Sequence, residues 1–403
     1  MTVALLGPVF DSAIRFIAWI VALGWIWKTA AAARGLPKVP DLLLPAYDRM
    51  PEGRPWLTVI VPARDEGANI HACLQSLMEQ DYPNIHVIAV NDRSKDLTGI
   101  LMDQTAILYP GRLTVLHVTD LPEGWLGKTH ALALGAREAA VLLQPEFLLF
   151  TDADVMFRPD ALRRTLVHAV ETQADHIVTM PTLVILRWDE GLLMGFFQTF
   201  ALWVARPWKV ADPRAIRDAV GVGAFNMMRR SAYLQIGGFE AQKMDILEDL
   251  TLARRVKKAG LRQRVAFGLG LVEVHWAPGA WGLIGVMTKN VFSGFRFHIS
   301  LLLMACGWLA VFAVAPAFEV FYEPTRLPAW ITVAAVVWGY WIYGKRSGIP
   351  TWTAAFFPVA AAMFIFALLR SMAITLWQGG VRWRGTFYSL KDLRQRSTPL
   401  NEK

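Results

Sequence analysis

Cysteine is almost absent from this 403-residue chain, with Cys73 and Cys306 the only two. A single pair cannot build a disulfide framework, so nothing in the sequence calls for an oxidising compartment. No Cys/His spacing suits zinc either. Charge is scarce as well: Asp, Glu, Lys and Arg make up 18% of the residues, against about 25% in an ordinary soluble domain. The 30 glycines and 22 prolines are scattered, which excludes collagen-like repeats and disorder. Neither repeated basic–aromatic interleaving nor a recognised nucleic-acid motif occurs, so no nucleic-acid partner is expected. The excess of 41 Lys+Arg over 33 Asp+Glu, a net charge of +8, instead suits an anionic bilayer face or a phosphorylated substrate.

What the chain has in surplus is apolar surface, at 54% hydrophobic residues. The run from Phe16 to Ala33 is broken only by Lys28. About 20 such residues, rising 1.5 Å each, span a hydrocarbon core of about 30 Å. The small residues Ala30–Ala33 resemble a signal-peptide cleavage site, but no basic segment precedes the apolar run, and residues 1–35 are therefore expected to be an anchor. Near the other end, Leu301–Phe321, Trp330–Tyr343 and Thr353–Trp377 are three further apolar stretches with tryptophan and tyrosine at their borders, as in aromatic belts. Basic residues follow both the first and the last stretch (Arg34, Lys38, Arg49 and Arg54; Arg382, Arg384, Lys391, Arg394 and Arg396). That bias predicts a cytoplasmic central region and a cytoplasmic basic tail over 379–403. Three full crossings cannot return the tail to the side it left, so one C-terminal stretch is expected to be re-entrant or interfacial, the alternative being an external basic tail. Trp330–Tyr343 is the shortest.

The region 55–275 has a different texture. Leu57–Val61, closed by Pro62, reads as a strand, followed by helix-like Ala68–Gln80, strand Ile85–Val90, helix Leu97–Leu108, strand Leu113–Val118, helix Lys128–Ala140 and strand Phe147–Thr151. Such alternation predicts an α/β fold with a parallel sheet covered on both faces. Ligands of these sheets bind outside the carboxyl ends of the strands. Three strand ends carry acid there: Pro62-Ala-Arg-Asp-Glu66, Asn91-Asp92, and Thr151-Asp152-Ala-Asp154. Carboxylates crowded on one rim repel, and a hard divalent cation such as Mg²⁺ or Mn²⁺ relieves that repulsion, commonly shared with substrate phosphates. Farther on, Glu248 and Asp249 open a helix running to Lys258 and stopped by Gly260. Acid in a first turn satisfies the helix dipole, or, facing the same rim, takes a proton from a hydroxyl.

The ordered motifs VPARDE, VNDRS, GWLGK, TDAD, IGGF and ILEDL, spread over Leu57–Val274, resemble the family 2 glycosyltransferases of GT-A fold, most closely the membrane-anchored members that act on lipids or carotenoids. The resemblance implies a GT-A (Rossmann-like) nucleotide-sugar domain with N-terminal and C-terminal transmembrane helices. It implies that Glu66 and Asp92 hold the nucleobase and ribose, that Lys128 lies near the base and phosphates, and that Asp152 and Asp154 form the Asp-x-Asp pair, with Asp154 the ligand of Mg²⁺ or Mn²⁺. Asp249 matches the catalytic base, with Glu248 supporting it, and Gly237-Gly238-Phe239 matches a structural turn. The implied reaction is inverting displacement of a nucleotide, with UDP the one expected, by the hydroxyl of a lipophilic acceptor. The Gln-x-x-Arg-Trp pentad of processive members is missing, and the corresponding stretch reads Thr288–Arg296, which favours transfer of one or a few sugars. His275 is a candidate extra ligand or an ordinary half-buried histidine.

Leu192–Trp208 and Trp281–Phe297 mix bulky apolar, aromatic and basic residues, the composition of helices lying in a headgroup plane or of simple core packing. Residues 276–298 are expected to be interfacial and 299–378 transmembrane. Trp203, Trp208, Trp281 and Phe295 are candidates for an apolar acceptor entrance, and Lys289 and Arg296 for phosphate or headgroup contacts. A polyprenyl-phosphate acceptor would use those two cations. A non-catalytic membrane scaffold is the reading from another class. The expected setting is the inner membrane, with the catalytic domain cytoplasmic.

Overall fold

Strand β1 (Leu57–Ala63) lies at the middle of the principal sheet in the computed structural model, which describes residues 2–396. Residues 397–403 of the expected tail, and Met1 of the expected anchor, lie outside the described residues. The chain forms two compact units. One holds residues 39–184, 207–276 and 378 onward; the other holds the N-terminal 38 residues, 185–206 and 277–377.

In the first unit the order is β1, α2 (Ile70–Met78), β2 (Ile85–Asp92), α3 (Thr98–Leu108), β3 (Leu113–Val118), α4 (Gly127–Leu142), β4 (Phe147–Phe150), β5 (Val155–Phe157), α5 (Ala161–Glu171), β6 (His176–Thr179) and β7 (Thr182–Leu183). After an excursion into the other unit come β8 (Asn226–Arg229), α7 (Arg230–Gln235), α8 (Glu248–Lys258), β9 (Gln263–Ala266) and β10 (Val272–Val274); the C-terminal part adds β11 (Gly380–Trp383), β12 (Thr386–Ser389) and α14 (Leu390–Arg396). Seven strands pair in the order β3-β2-β1-β4-β8-β6-β9, and β5, β10 and β7 make a small second sheet.

Alternation along the strands divides the core in two. Val59, Val61, Val87 and Leu149 pack on one face with Leu74, Met102 and Leu166; Ile60, Ile88, Val90 and Leu148 pack on the other with Leu132, Leu252 and Val256. Each such side chain stabilises the fold by about 1.5–3 kcal/mol on burial. Both faces being covered, these strands read as continuous apolar runs.

The sheet departs from the expected pattern at two points. Pro62 does not close β1 but continues it, opposite Val90 of β2. Thr151 donates to the Ile60 carbonyl on the β4 side, and β4 pairs no farther than Ile60. Pro62, two residues on, faces that same side, where the ladder has ended and no N–H is needed. The sheet is also mixed rather than wholly parallel, because β8 runs antiparallel to both β4 and β6. The chain returns from its excursion along the carboxyl edge, so β8 enters the sheet where its neighbours leave it.

The second unit contains α1 (Thr2–Gly35), α6 (Trp188–Val204), α9 (Gly279–Gly294), α10 (Ile299–Leu309), α11 (Pro316–Glu319), α12 (Arg326–Ser347) and α13 (Phe357–Gln378). Among the described residues, four segments are long and apolar enough to cross a membrane: Phe10–Lys38, Ile299–Glu319, Glu323–Ser347 and Thr351–Gln378. The apolar piece Trp330–Tyr343 is therefore the middle of a 22-residue helix, not a short re-entrant segment. Its polar ends, with Lys345 and Arg346 in the last turn, lower the hydropathy without ending the helix.

Contacts give these helices a direction. Trp25 Nε1 donates to Phe312 O at 2.8 Å, while Tyr322 donates to Asp11, so α10–α11 descend antiparallel to α1. Arg15 Nε donates to Pro324 O at 3.2 Å and Thr29 Oγ1 to Ala335 O at 3.1 Å, so α12 climbs back parallel to α1. Helix α13 starts beside Trp25, its Phe357 ring 5.3 Å away. It then follows α6 and α9, through Phe364 against Phe196 and Phe200 and through Ser371 donating to Thr288 O at 2.6 Å. Lys28, the charge inside the apolar part of α1, sends Nζ to Trp203 O at 3.1 Å, where the carbonyl end of α6 favours a cation.

Candidate active site

Because β1, β2 and β4 run parallel, Glu66, Asp92, Asp152 and Asp154 leave the sheet at one edge. Lys128, in the first turn of α4, reaches into this edge and joins it to α8. Its Nζ lies 2.5 Å from Asp152 Oδ1 and 2.6 Å from Glu248 Oε1. Burial opposes the charge on Lys128, but the carboxylates of Asp152 and Glu248 outweigh it and hold the ammonium well above its ordinary pKa.

Asp249, the next residue, accepts from Leu250 N at 2.7 Å, so part of its carboxyl does cap the first turn of α8. Burial pushes its pKa up to about 7, and the adjacent Glu248 adds to the rise while Lys128 opposes it. Burial likewise pushes Asp154 up, to about 6, aided by the negative charges of Asp152 and Glu66. Asp154 and Asp249 thus both feel Lys128 and Asp152, and the residues from three distant stretches form one cluster.

Asp92 is buried and takes a two-pronged contact from Arg93, at 2.7 and 3.0 Å. Glu66 accepts from Arg384, at the tip of the β11–β12 hairpin, and from Asn69 Nδ2 at 3.3 Å. His275 is half-buried just after β10, and among the described residues no group of three His, Cys, Asp or Glu is arranged to hold a metal ion.

Of the remaining candidates, Trp208 is half-buried in the unit that holds the sheet, and the others lie in the helical unit. Trp203 packs edge-on against Trp25 and Trp308, with ring centroids 4.9 and 5.1 Å apart, a packed position rather than an open one. Trp281 is 72% exposed, with one edge on Phe366. Lys289 and Arg296 are half-buried at the end of α9, and Arg296 takes a left-handed conformation with φ 49°.

Gly127 belongs to the GWLGK motif, but two further glycines of the site, Gly221 and Gly223, escape the sequence reading. A Cβ on Gly127 would fall 2.3 Å from Asp92 Oδ2, one on Gly223 would fall 2.5 Å from Asp152 Oδ2, and one on Gly221 would fall 2.0 Å from the Asp249 carbonyl oxygen. The returning segment 220–224 therefore passes hard against both acidic groups. Their only sequence signal is the alternation Gly-Val-Gly at 221–223. The Gly221→Ala substitution must displace the Asp249 backbone. We expect any reaction that uses Asp249 to slow by about tenfold or more, since small misplacements of a reacting group are costly, with a lowered Tm by differential scanning fluorimetry. Unchanged rate and Tm would contradict this close approach.

A family model described as glycosyltransferase like family 2 matches residues 54–274, and the chain belongs to that family. A curated relative, the 4,4'-diaponeurosporenoate glycosyltransferase of Staphylococcus aureus, is 28% identical over 243 residues, 59% of this chain and 61% of the relative. The chain thus spans under two thirds of that relative's length. Among solved structures, the Pyrobaculum calidifontis mannosyltransferase PcManGT, in complex with GDP-mannose and Mn²⁺, superposes with a TM-score of 0.53 at 19% identity, covering 91% of this chain and 99% of that one. That likeness is one of fold, a GT-A architecture; the apolar helices near the N-terminus and in the C-terminal region are features of this chain.

Proposed function

We propose that this family 2 glycosyltransferase moves a sugar from a UDP-linked donor to the hydroxyl of a lipophilic acceptor at the cytoplasmic face of the inner membrane, with inversion at the anomeric carbon. The observation that carries the reading is the cluster around Lys128, which sets a base-strength carboxyl, Asp249, in the same charged group as the Asp152–Asp154 pair. A lipophilic acceptor is supported by the likeness to a carotenoid glycosyltransferase.

In the proposed reaction Asp249 accepts the proton of the acceptor hydroxyl as the oxygen attacks. A carboxyl raised towards neutrality is a stronger base than an exposed one, and Leu250 N fixes its orientation. Glu248, in contact with Lys128, adds to the field that raises Asp249. Glu66 and Asp92 offer acceptor oxygens to the ribose and base. A hard cation that shares its shell with a diphosphate needs only one or two protein carboxylates, and Asp154, raised by burial and like charge, is the group here that gains from one. The donor set therefore fits Mg²⁺ or Mn²⁺, held by Asp154, which when bound would offset charge on the departing diphosphate.

The direction of the helices supports a topology with three crossings, α1, α10–α11 and α12. Helix α13 then lies with α6 and α9 in the headgroup plane. An even number of crossings after residue 276 returns the chain to the side it left, in keeping with residues 378–396 belonging to the same unit as the sheet. Arg34, Lys38, Lys345 and Arg346 fall at the ends of α1 and α12 that this places in the cytoplasm.

The test is release of UDP from a panel of UDP-sugars by the full-length protein in vesicles with carotenoid or glycolipid acceptors. We expect acceptor-dependent release whose rate climbs with pH through an acid limb near 7, well above the ordinary carboxylate value of about 4. Mn²⁺ is expected to raise the Tm of the parent protein and not that of Asp154→Asn. No UDP release and no UDP binding under any of these conditions would end the proposal.

A further inference from the structure

The C-terminal hairpin lies outside the residues that the family model matches, 54–274, yet it folds onto the acidic rim. Strands β11 and β12 pair antiparallel about a two-residue turn, Arg384-Gly385, with φ of 46° and 75°. Positive φ at both positions makes the tight turn that suits a twisted hairpin, but at the first position it favours asparagine or glycine, and arginine there is strained. Asp65 and Arg93, at the ends of β1 and β2, are also left-handed, with φ of 55° and 58°. Strained residues of this kind persist where surrounding contacts over-determine them, and they gather at ligand clamps.

The contacts here are specific. Arg384 donates to the Glu66 carboxylate and, through Nη1, to Asp65 O at 3.2 Å. Arg64 Nη1 donates to Thr386 Oγ1 at 3.0 Å. The buried Tyr388 places its hydroxyl 3.1 Å from Gly127 N, accepting its hydrogen, and it also bonds Arg93, the partner of Asp92. Arg64 Nε, buried beside the hairpin, has no hydrogen-bond acceptor among the described residues, with Asp65 Oδ2 standing off at 4.0 Å. The hairpin thus touches both carboxylates assigned to the nucleoside, Glu66 directly and Asp92 through Arg93, and a buried guanidinium donor beside it awaits an anionic or carbonyl partner.

We infer that the β11–β12 hairpin is a wall of the nucleotide site and that Arg384 is a positioning residue, fixing the Glu66 carboxylate for a nucleoside diphosphate. The inference rests on the transferase reading above. Arg384 acts through Glu66 and takes no part in proton transfer, so its loss falls on donor affinity rather than on turnover.

The experiment uses full-length protein in detergent or vesicles and measures the Kd for UDP by calorimetry, with KM and kcat for the UDP-sugar. For Arg384→Ala, exposed at the hairpin tip, we expect Kd and KM to rise about tenfold, the size of one charge-assisted contact, with kcat within about threefold and an unchanged Tm. Arg384→Lys should recover part of the affinity. Tyr388→Phe, which keeps the ring in its buried place, should weaken UDP binding by a smaller factor. Unchanged Kd in both Arg384→Ala and Tyr388→Phe would overturn the inference, as would tighter binding, which would make the hairpin an inhibitory plug. A parent protein that binds no UDP would instead refute the UDP-linked donor on which the inference rests.

Discussion

The Asp249→Asn protein is expected to lose transfer by about three orders of magnitude, the middle of the range for removing a general base, while melting no lower than the parent at pH 8. The two halves of this result have one cause. Asp249 is held up to about 7 by burial and by Glu248, so ionising it in the folded state is unfavourable relative to the unfolded chain. A carboxyl raised in this way destabilises the fold increasingly as pH climbs from its unfolded value of about 4 to its folded value, and by a constant amount above that. Asparagine has nearly the same shape, can still accept from Leu250 N through its carbonyl, and carries no charge to repel Glu248. The variant should therefore equal or exceed the parent in Tm above neutrality and lose that advantage below pH 4. UDP affinity should be unchanged, because the lost group acts on the acceptor. Preserved turnover would remove Asp249 from the reaction; lost turnover with a much lower Tm would mean that its role is only structural.

The same physics explains which parts of this molecule are legible in its sequence. Helix α8 begins and ends where the sequence places it, because Glu248-Asp249 in its first turn and Gly260 after its last are local signals. The buried strands are legible as apolar runs, and β3 falls on its expected residues. The direction of β8 is not legible, since it depends on the chain leaving the sheet at residue 184 and returning along the carboxyl edge, a long-range fact with no local signature. Pro62 misleads because its meaning depends on where β4 stops, not on its own neighbours. The acidic residues and the lysine of the cluster carry strong motif signals. The hairpin that grips Glu66 does not: residues 380–389 look like basic tail until a Gly after Arg384 is read as a tight turn between two short β-rich pieces. Nor does hydropathy reveal which C-terminal helix stands apart from α1. That follows only from pairs such as Thr29 with Ala335 and Ser371 with Thr288.

Replacing Lys128 by methionine should be the most damaging single change to the fold of the acidic rim. Lys128 is only 21% exposed at its side chain and touches Asp152 and Glu248 at once. Methionine keeps the length and the apolar stem but leaves both carboxylates facing each other, with Asp154 and Asp249 beside them. Removing one partner from a fully buried pair costs about 3–5 kcal/mol, and solvent access here reduces that to roughly 2–3 kcal/mol. The sign follows from the raised ammonium: stability from a cation held above its ordinary pKa is present throughout the range below the unfolded value of about 10. The deficit of Lys128→Met should thus be full at pH 7–9 and shrink in acid, as the uncompensated carboxyls take up protons. The double variant Lys128→Met/Glu248→Gln should regain part of the loss, and a cycle of the four proteins followed by urea unfolding would measure the coupling. Additive effects in that cycle, or a Lys128→Met protein as stable as the parent at pH 8, would show that the lysine does not hold the carboxylates together, and the charged cluster on which the proposed chemistry rests would lose its organising group.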